Sequence, residues 1–327
     1  MATPSKSNWA SELPVAELPA DPSWRENFCF DGYDRQRDVG FWIHCGRWSL
    51  DPRIWREQVL VYWPDGSYLV HRAWGFRTAQ RGVSGALLDL ICEEPEKRWQ
   101  VRFRGPVRRT VQTELQSGAL TEGPQLLLDL HVEFTSNVPV WDMTAGMQRQ
   151  QWGKFHIEQT GRLQGDLSCE GVSVAMNGLG WRDHSRGPRD LKDLRRHCWI
   201  HGELSRNRSF ALTFVESEEA GLPVRSLDKA VIWDDGQIFP ARCDYPPFLD
   251  SNAWPASHYS MTLEYERGVV VIHAQARRCL PHSTSRQMEC FDGVTPGIAH
   301  LVTYEQGTIF TVDGAEHDGH TERSFRL

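Results

Sequence analysis

The sequence predicts an all-β protein, two antiparallel β-barrels in tandem with few short helices. Three observations carry this expectation. Period-two alternation recurs along the chain, as in Leu126, Leu128, Leu130, Val132 and Phe134 against Asp129, His131 and Glu133. A strand sends successive side chains to opposite faces, so this pattern gives one apolar face and one wet face. Turn signals punctuate the runs at Pro64-Asp-Gly66, Asp234-Asp-Gly236, Glu305-Gln-Gly307 and Asp313-Gly314, as hairpins require. Finally, two short echoes recur in the same order. Phe41-Trp-Ile-His44 returns as Cys198-Trp-Ile-His201, and Val61-Tyr-Trp-Pro-Asp-Gly66 returns as Val231-Ile-Trp-Asp-Asp-Gly236. Ordered echoes at near-equal offsets point to two similar units, with a longer loop around Glu216 to Ser226 absorbing the difference in offset.

Taken in order, the polar, proline-studded stretch from Met1 to Pro22 lacks a basic-then-apolar leader. Trp99, Val101 and Phe103 alternate with Gln100, Arg102 and Arg104, and Phe210, Leu212 and Phe214 repeat the pattern. Met261, Leu263 and Tyr265 do so again. Helical periodicity is confined to short stretches near 50–58 and 188–197. The expected division is a barrel over 20–180, a connection over 181–197 and a second barrel over 198–327. In each echo the Trp and the His are two residues apart and share a strand face. Trp42 with His44, and Trp199 with His201, are therefore expected to line the barrel lumens as ligand-contacting pairs.

At 327 residues the chain is long for one core. A net charge of −7, with 36 basic residues in no long run, argues against nucleic acid or an anionic membrane as partner. No apolar run approaches the ~20 residues that span a bilayer. Eight cysteines form no C-x-x-C pair, so the expectation is a cytoplasmic protein with reduced thiols. Fourteen tryptophans supply large flat apolar area, which suits thick cores and pocket walls.

The densest chemistry lies in Gly178-Leu-Gly-Trp-Arg-Asp-His-Ser-Arg-Gly-Pro-Arg-Asp190. Glycines at 178, 180 and 187 admit backbone angles that a Cβ forbids, and Pro188 fixes another. The expectation is a shaped turn presenting Asp183 and His184 as catalytic groups, with Arg182, Arg186 and Arg189 shaping or charging the site. A second partner for Asp183 is sought among His44, His201, His71 and Glu57. The bland reading of the same segment is an arginine–aspartate knot tying two domains together.

The run His156-x-Glu-Gln-x-Gly161-x-x-x-Gly165, followed by the Gly178–Asp190 segment, resembles bacterial proteins related to the carotenoid hydratases (hydroxyneurosporene synthases). Trp24-Arg-Glu-Asn-Phe28 and Pro64-Asp-Gly66 are similar to that group as well, and the likeness covers about residues 20 to 320. The resemblance implies tandem lipocalin-like (calycin-like) barrels with a ligand cavity between or within them. It also implies that Asp183, beside His184, protonates an alkene and that water captures the cation. Those proteins commonly carry Trp after the Ser, where this chain has Arg186.

The residues support acid–base chemistry on an apolar small molecule such as a terpenoid, steroid or aromatic compound. The expected enzyme is a cofactor-independent lyase of hydratase or dehydratase type, or an isomerase or cyclase. Burial would keep Asp183 protonated, whereas contact with the arginines would keep it ionised and make it a base. The rival is a non-catalytic carrier of a hydrophobic ligand in which the motif only clamps the domains. No cluster shows closed-zinc spacing, and His317-Asp-Gly-His320 reads as an exposed turn, so neither metal nor cofactor is expected. A homodimer is the partner state considered.

Overall fold

The computed structural model describes residues 9–327 except 78, 119–122, 124, 149, 151–152, 252–253, 296 and 298. The first eight residues of the polar N-terminal stretch lie outside the described residues.

Apolar alternating strands with open edges invite pairing with other chains, and closure into a barrel removes the edges. The chain closes twice. Strands β1 (Trp24–Asp34), β2 (Val39–Arg47), β3 (Trp55–Tyr62) and β4 (Tyr68–Gly75) form a meander. After the short β5 (Gly82–Ser84) and β6 (Leu88–Glu94), strand β7 (Arg98–Thr110) pairs with β4. Strands β8 (Gln125–Thr135), β9 (Trp141–Asp142), β10 (Phe155–Cys169) and β11 (Val172–Pro188) follow. The closed cycle is β1-β2-β3-β4-β7-β8-β10-β11.

The second barrel begins with β12 (Leu194–Ser205), β13 (Arg208–Glu219), β14 (Leu222–Asp234) and β15 (Gln237–Arg242). It continues through β16 (His258–Tyr265) and β17 (Gly268–Ala276). A small hairpin of β18 (Leu280–Thr284) and β19 (Cys290–Asp292) precedes β20 (Leu301–Val312) and β21 (Ala315–Arg326). Pairing of β17 with β20 and of β12 with β21 closes another eight-stranded cycle. Described helices are short: α1 (Trp9–Glu12), α2 (Gln112–Ser117) and α3 (Thr144–Met147). None is long and apolar enough to cross a membrane.

Four sequence expectations change. The stretches near 50–58 and 188–197 are loop and strand, since so short a helix is marginal alone and sheet partners were at hand. Glu305-Gln-Gly307 is mid-strand in β20 rather than a turn. There Gly307 makes room for the Tyr33 ring, whose Cδ2 would lie 2.8 Å from an added Cβ. His317 to His320 is strand β21, and His320 is buried. The second echo is a true repeat, the β3–β4 hairpin matching β14–β15, but the first pairs unlike strands. β2 is second in its barrel and β12 is first, so the difference in offset reflects a whole strand, β13, and not a longer loop.

Each lumen is filled by side chains, as eight strands leave room for little else. Phe41, Ile43, Val61, Val101, Leu130 and Val132 pack the first; Cys198, Ile200, Phe210, Leu212, Leu263 and Phe310 pack the second. The Trp–His face therefore points outward, the reverse of the expectation. Trp42, Trp181, Trp199 and Trp233 meet in a third apolar layer between the barrels, with Leu280 and Ile309.

Candidate active site

Strand alternation explains the dense motif. The segment is no turn: β11 pairs along its length with β1 and β10, with Asp183 opposite both Cys29 and Glu158. The first barrel's strand runs to Pro188, and residues 189–193 lead to β12, so most of the 181–197 connection is strand. Of the three glycines only Gly187 has positive φ, +138°. Gly178 serves close approach instead, since a Cβ there would lie 2.3 Å from the Tyr33 carbonyl oxygen.

The even-numbered residues point to the end of the first barrel, where the N-terminal segment lies. Arg182 donates from both terminal nitrogens to the Glu12 carboxylate at 2.8 Å and from Nε to Gln159 at 2.8 Å. Both members of that ion pair are buried. His184 stacks on Phe28 at 3.9 Å, donates from Nδ1 to the Ser11 carbonyl at 2.6 Å and meets Glu26 at 3.1 Å. Arg186 lies over the Phe155 ring at 4.2 Å. None of these three borders the cavity described next. His184, Arg182 and Arg186 thus form the arginine–carboxylate knot, and the catalytic role expected of His184 loses its geometry.

The odd-numbered residues face the layer between the barrels. Trp181 stacks on His201 at 4.2 Å. Asp183 and Ser185 border a cavity of about 240 Å³. Its apolar walls are Trp42 and Trp199 with Leu191, Leu194, Val215, Met288 and Leu301. The volume equals that of ~8 liquid waters.

Asp183 is 12% exposed and its partner comes from the neighbouring strand: His156 Nε2 donates to Asp183 Oδ2 at 2.5 Å. The same nitrogen lies 3.1 Å from Glu158 Oε1. His156 and Glu158 are two apart on β10 and so share the face on which Asp183 stands. Burial works against a charge on His156, but Asp183 and then Glu158 outweigh it and raise the imidazole to about 10. Burial raises Glu158 against the pull of His156. The site thus holds an imidazolium between two carboxyl groups.

The second barrel contributes another pair to the same cavity. His197 on β12 is bonded through Nε2 to Glu322 and through Nδ1 to Ser324, both on β21. Burial, with Glu305 behind it, raises the Glu322 carboxyl despite His197. His44 also borders the cavity, and burial with nearby Arg56 keeps it neutral. Arg189 stands at the wall, donates to Ser185 Oγ at 2.9 Å, and is lowered by burial to about 10, so it stays charged at neutral pH. Behind the indoles runs a buried chain: His201 to Asp31 at 3.1 Å, Asp31 to His320 at 3.8 Å, His320 to Glu305 at 2.8 Å, and Glu305 to His282 at 2.9 Å.

Of the residues expected at the site, Asp183, Trp42, His44 and Trp199 line the cavity; Arg182, His184, Arg186 and His201 do not. His71 and Glu57 pair with each other at 2.9 Å, apart from it. His156, Glu158, His197 and Glu322 were missed as site residues. The signal for the first two was present, a His-x-Glu on a strand. The signal for the others required knowing that two barrels face each other. Ligand atoms of His156, Glu158 and Asp183 lie within 4.8 Å of one another, a spacing that could also hold a divalent cation.

In fold the chain is similar to several solved structures. A structure described as an AttH candidate from Nitrosomonas europaea matches with a TM-score of 0.57 at 14% identity, over 97% of this chain and 99% of that one. CghA with Sch210972 matches at 0.56 and 11% identity, over 94% and 89%. Kievitone hydratase from Nectria haematococca matches at 0.52 and 9% identity, over 98% and 92%. No curated protein matches in sequence. The family model described as "Domain of unknown function (DUF7064)" matches residues 12–242, well over half of the chain, and the protein belongs to that family.

Proposed function

We propose that the protein is an enzyme that adds, removes or moves protons on an apolar small molecule held between the barrels, by side-chain chemistry alone. The observation that carries this reading is the Asp183 carboxylate, backed by a charged His156, at the wall of an otherwise indole- and leucine-lined cavity. A structural ion pair needs no such opening. Asp183 touches the substrate or a water and its carboxylate takes up the proton; the charged His156 behind it holds that carboxylate in place, and Glu158 stabilises the imidazolium. Adding water across a double bond needs one group to deliver a proton and one to activate water. Glu322, its carboxyl held towards the neutral form on the opposite wall, supplies the first, and the Asp183–His156 pair supplies the second. Two titratable groups with unlike environments are how one site runs acid and base steps at one pH.

The hydratase or dehydratase class is favoured over isomerase or cyclase by the fold likeness to kievitone hydratase and by the resemblance to carotenoid hydratases in the motif. The apolar walls favour a terpenoid, steroid or aromatic substrate. The test has two stages. Native mass spectrometry identifies any small molecule carried through purification, and that compound is then incubated with the protein in D2O. Deuterium uptake, or a mass gain of one water, is expected with wild type and not with Asp183→Asn. Equal uptake by both proteins would refute the assignment.

A further inference from the structure

The buried acid–imidazole chain behind the indoles takes no part in the proposed proton steps. Its centre is Glu305 on β20, which is fully buried. On one side His282 of β18 meets Glu305 Oε1 at 2.9 Å; on the other, His320 of β21 meets Oε2 at 2.8 Å. His320 in turn faces Asp31, which also holds His201 at 3.1 Å. The remaining neighbour is a like group. β20 and β21 pair in a register that sets Glu305 directly opposite Glu322. Residues so placed share a sheet face with Cβ atoms about 5 Å apart. Two carboxyl groups are thus neighbours, one inside the chain and one at the cavity wall.

Two negative charges this close in a water-poor layer repel, and one member of the pair gives up its charge. Burial alone would choose Glu305, since Glu322 keeps 14% of its side chain exposed. The partners choose the other way. Each Glu305 oxygen has its own imidazole, whereas Glu322 has only that of His197, whose other nitrogen is bonded to Ser324. Trp42 lies against His282 at 5.0 Å and Trp199 against His320 at 6.4 Å, so the indoles separate these imidazoles from the cavity. The titration directions agree with the geometry. Against their burial, His282 rises to about 10, drawn up by Cys290 and Glu305, and His320 to about 8, drawn up by Asp31 and Glu305. Despite its burial Glu305 falls to about 2, while burial and then Glu305 raise Glu322. The other titratable groups facing the pair are Cys29 on β1, Tyr62 on β3 and Cys279, all kept neutral by burial, and His201, lowered by burial.

We propose that Glu305 is a positioning residue for the acid: held as a carboxylate by His282 and His320, it keeps the proton on Glu322 at the cavity wall. Glu305 itself does not border the cavity, so it acts through Glu322 alone. The inference rests on the reading of Glu322 as the proton donor and supplies the reason that donor is loaded. Once Glu322 has delivered its proton, the pair is doubly charged, and that repulsion draws the next proton back to Glu322.

The test is an infrared titration of the full-length protein, which reads protonated carboxyl groups by their C=O band and needs no substrate. Wild type at pH 7 should show a carboxylic acid band that Glu322→Gln lacks. In Glu305→Gln the two imidazoles are left with Glu322 as their nearest carboxyl group, so the band's midpoint should fall by about one pH unit or more, a tenfold loss of proton affinity. If that variant does not fold, Glu305→Asp decides: drawing the charge back by one methylene should lower the midpoint in the same direction. Absence of the band from wild type, or an unmoved midpoint in the Glu305 variant that folds, overturns the proposal. A midpoint that falls as expected, together with full turnover in Glu322→Gln, upholds the coupling and refutes only the reading of Glu322 as the catalytic acid.

Discussion

Two histidine–carboxylate pairs stand almost back to back about adjacent residues of β11, each completed from a neighbouring strand. Asp183 with His156 faces a cavity between barrels; His184 with Glu26 faces a barrel end stopped by residues 11 to 15. Their chemistry is nearly the same and their neighbours in sequence are shared. What separates them is parity along the strand, which sends one to a cavity and the other to a sealed seam. A motif dense in catalytic residue types can therefore be half cavity wall and half clamp.

The comparison can be broken most decisively at Asp183. Asp183→Asn should lower deuterium exchange or turnover by roughly 10²–10⁴-fold, the usual worth of a positioned acid–base group, with little loss of stability. A melting temperature far below wild type, with activity per folded molecule retained, would move Asp183 to the clamp. On the other face Arg182→Ala should cost about 3–5 kcal/mol in denaturant unfolding, because it leaves the Glu12 carboxylate buried and unpaired. His184→Gln should be milder, about 1–3 kcal/mol, since Arg47 still holds Glu26 at 3.1 Å, and it should leave exchange essentially unchanged. A large loss of exchange in well-folded His184→Gln would restore the catalytic role expected from the sequence.

The subtlest test is pH. His156 is raised from 6.5 to about 10 on folding, so its charge contributes stability in full below pH 6.5 and loses it as pH rises through about 10. Wild type should accordingly lose more stability between pH 7 and 10 than His156→Gln does. Parallel curves for the two proteins would show that the imidazole is not charged in the fold.

The architecture was legible because strand periodicity is local. Leu126 to Phe134 alternated as expected, and all four apolar positions from Leu128 to Phe134 pack the first lumen. The glycines misled, because Gly178 and Gly180 mark close approach of neighbouring strands rather than unusual backbone angles, and single residues do not announce which. The pairing of Trp42 with His44 was correctly placed on one face, but which face looks inward depends on how much volume the lumen can hold.

By itself, then, the sequence determined the strands, which residues share a face and the tandem plan, since alternation, turn chemistry and residue type are properties of short segments. Only the tertiary structure decided that Asp183 would meet His156 rather than His184, that Glu322 would join them from more than a hundred positions away with His197 beside it, and that the indoles would wall a space between barrels. Those outcomes depend on register across strands and on packing one closed sheet against another. Both are set by contacts between segments that the linear order keeps apart.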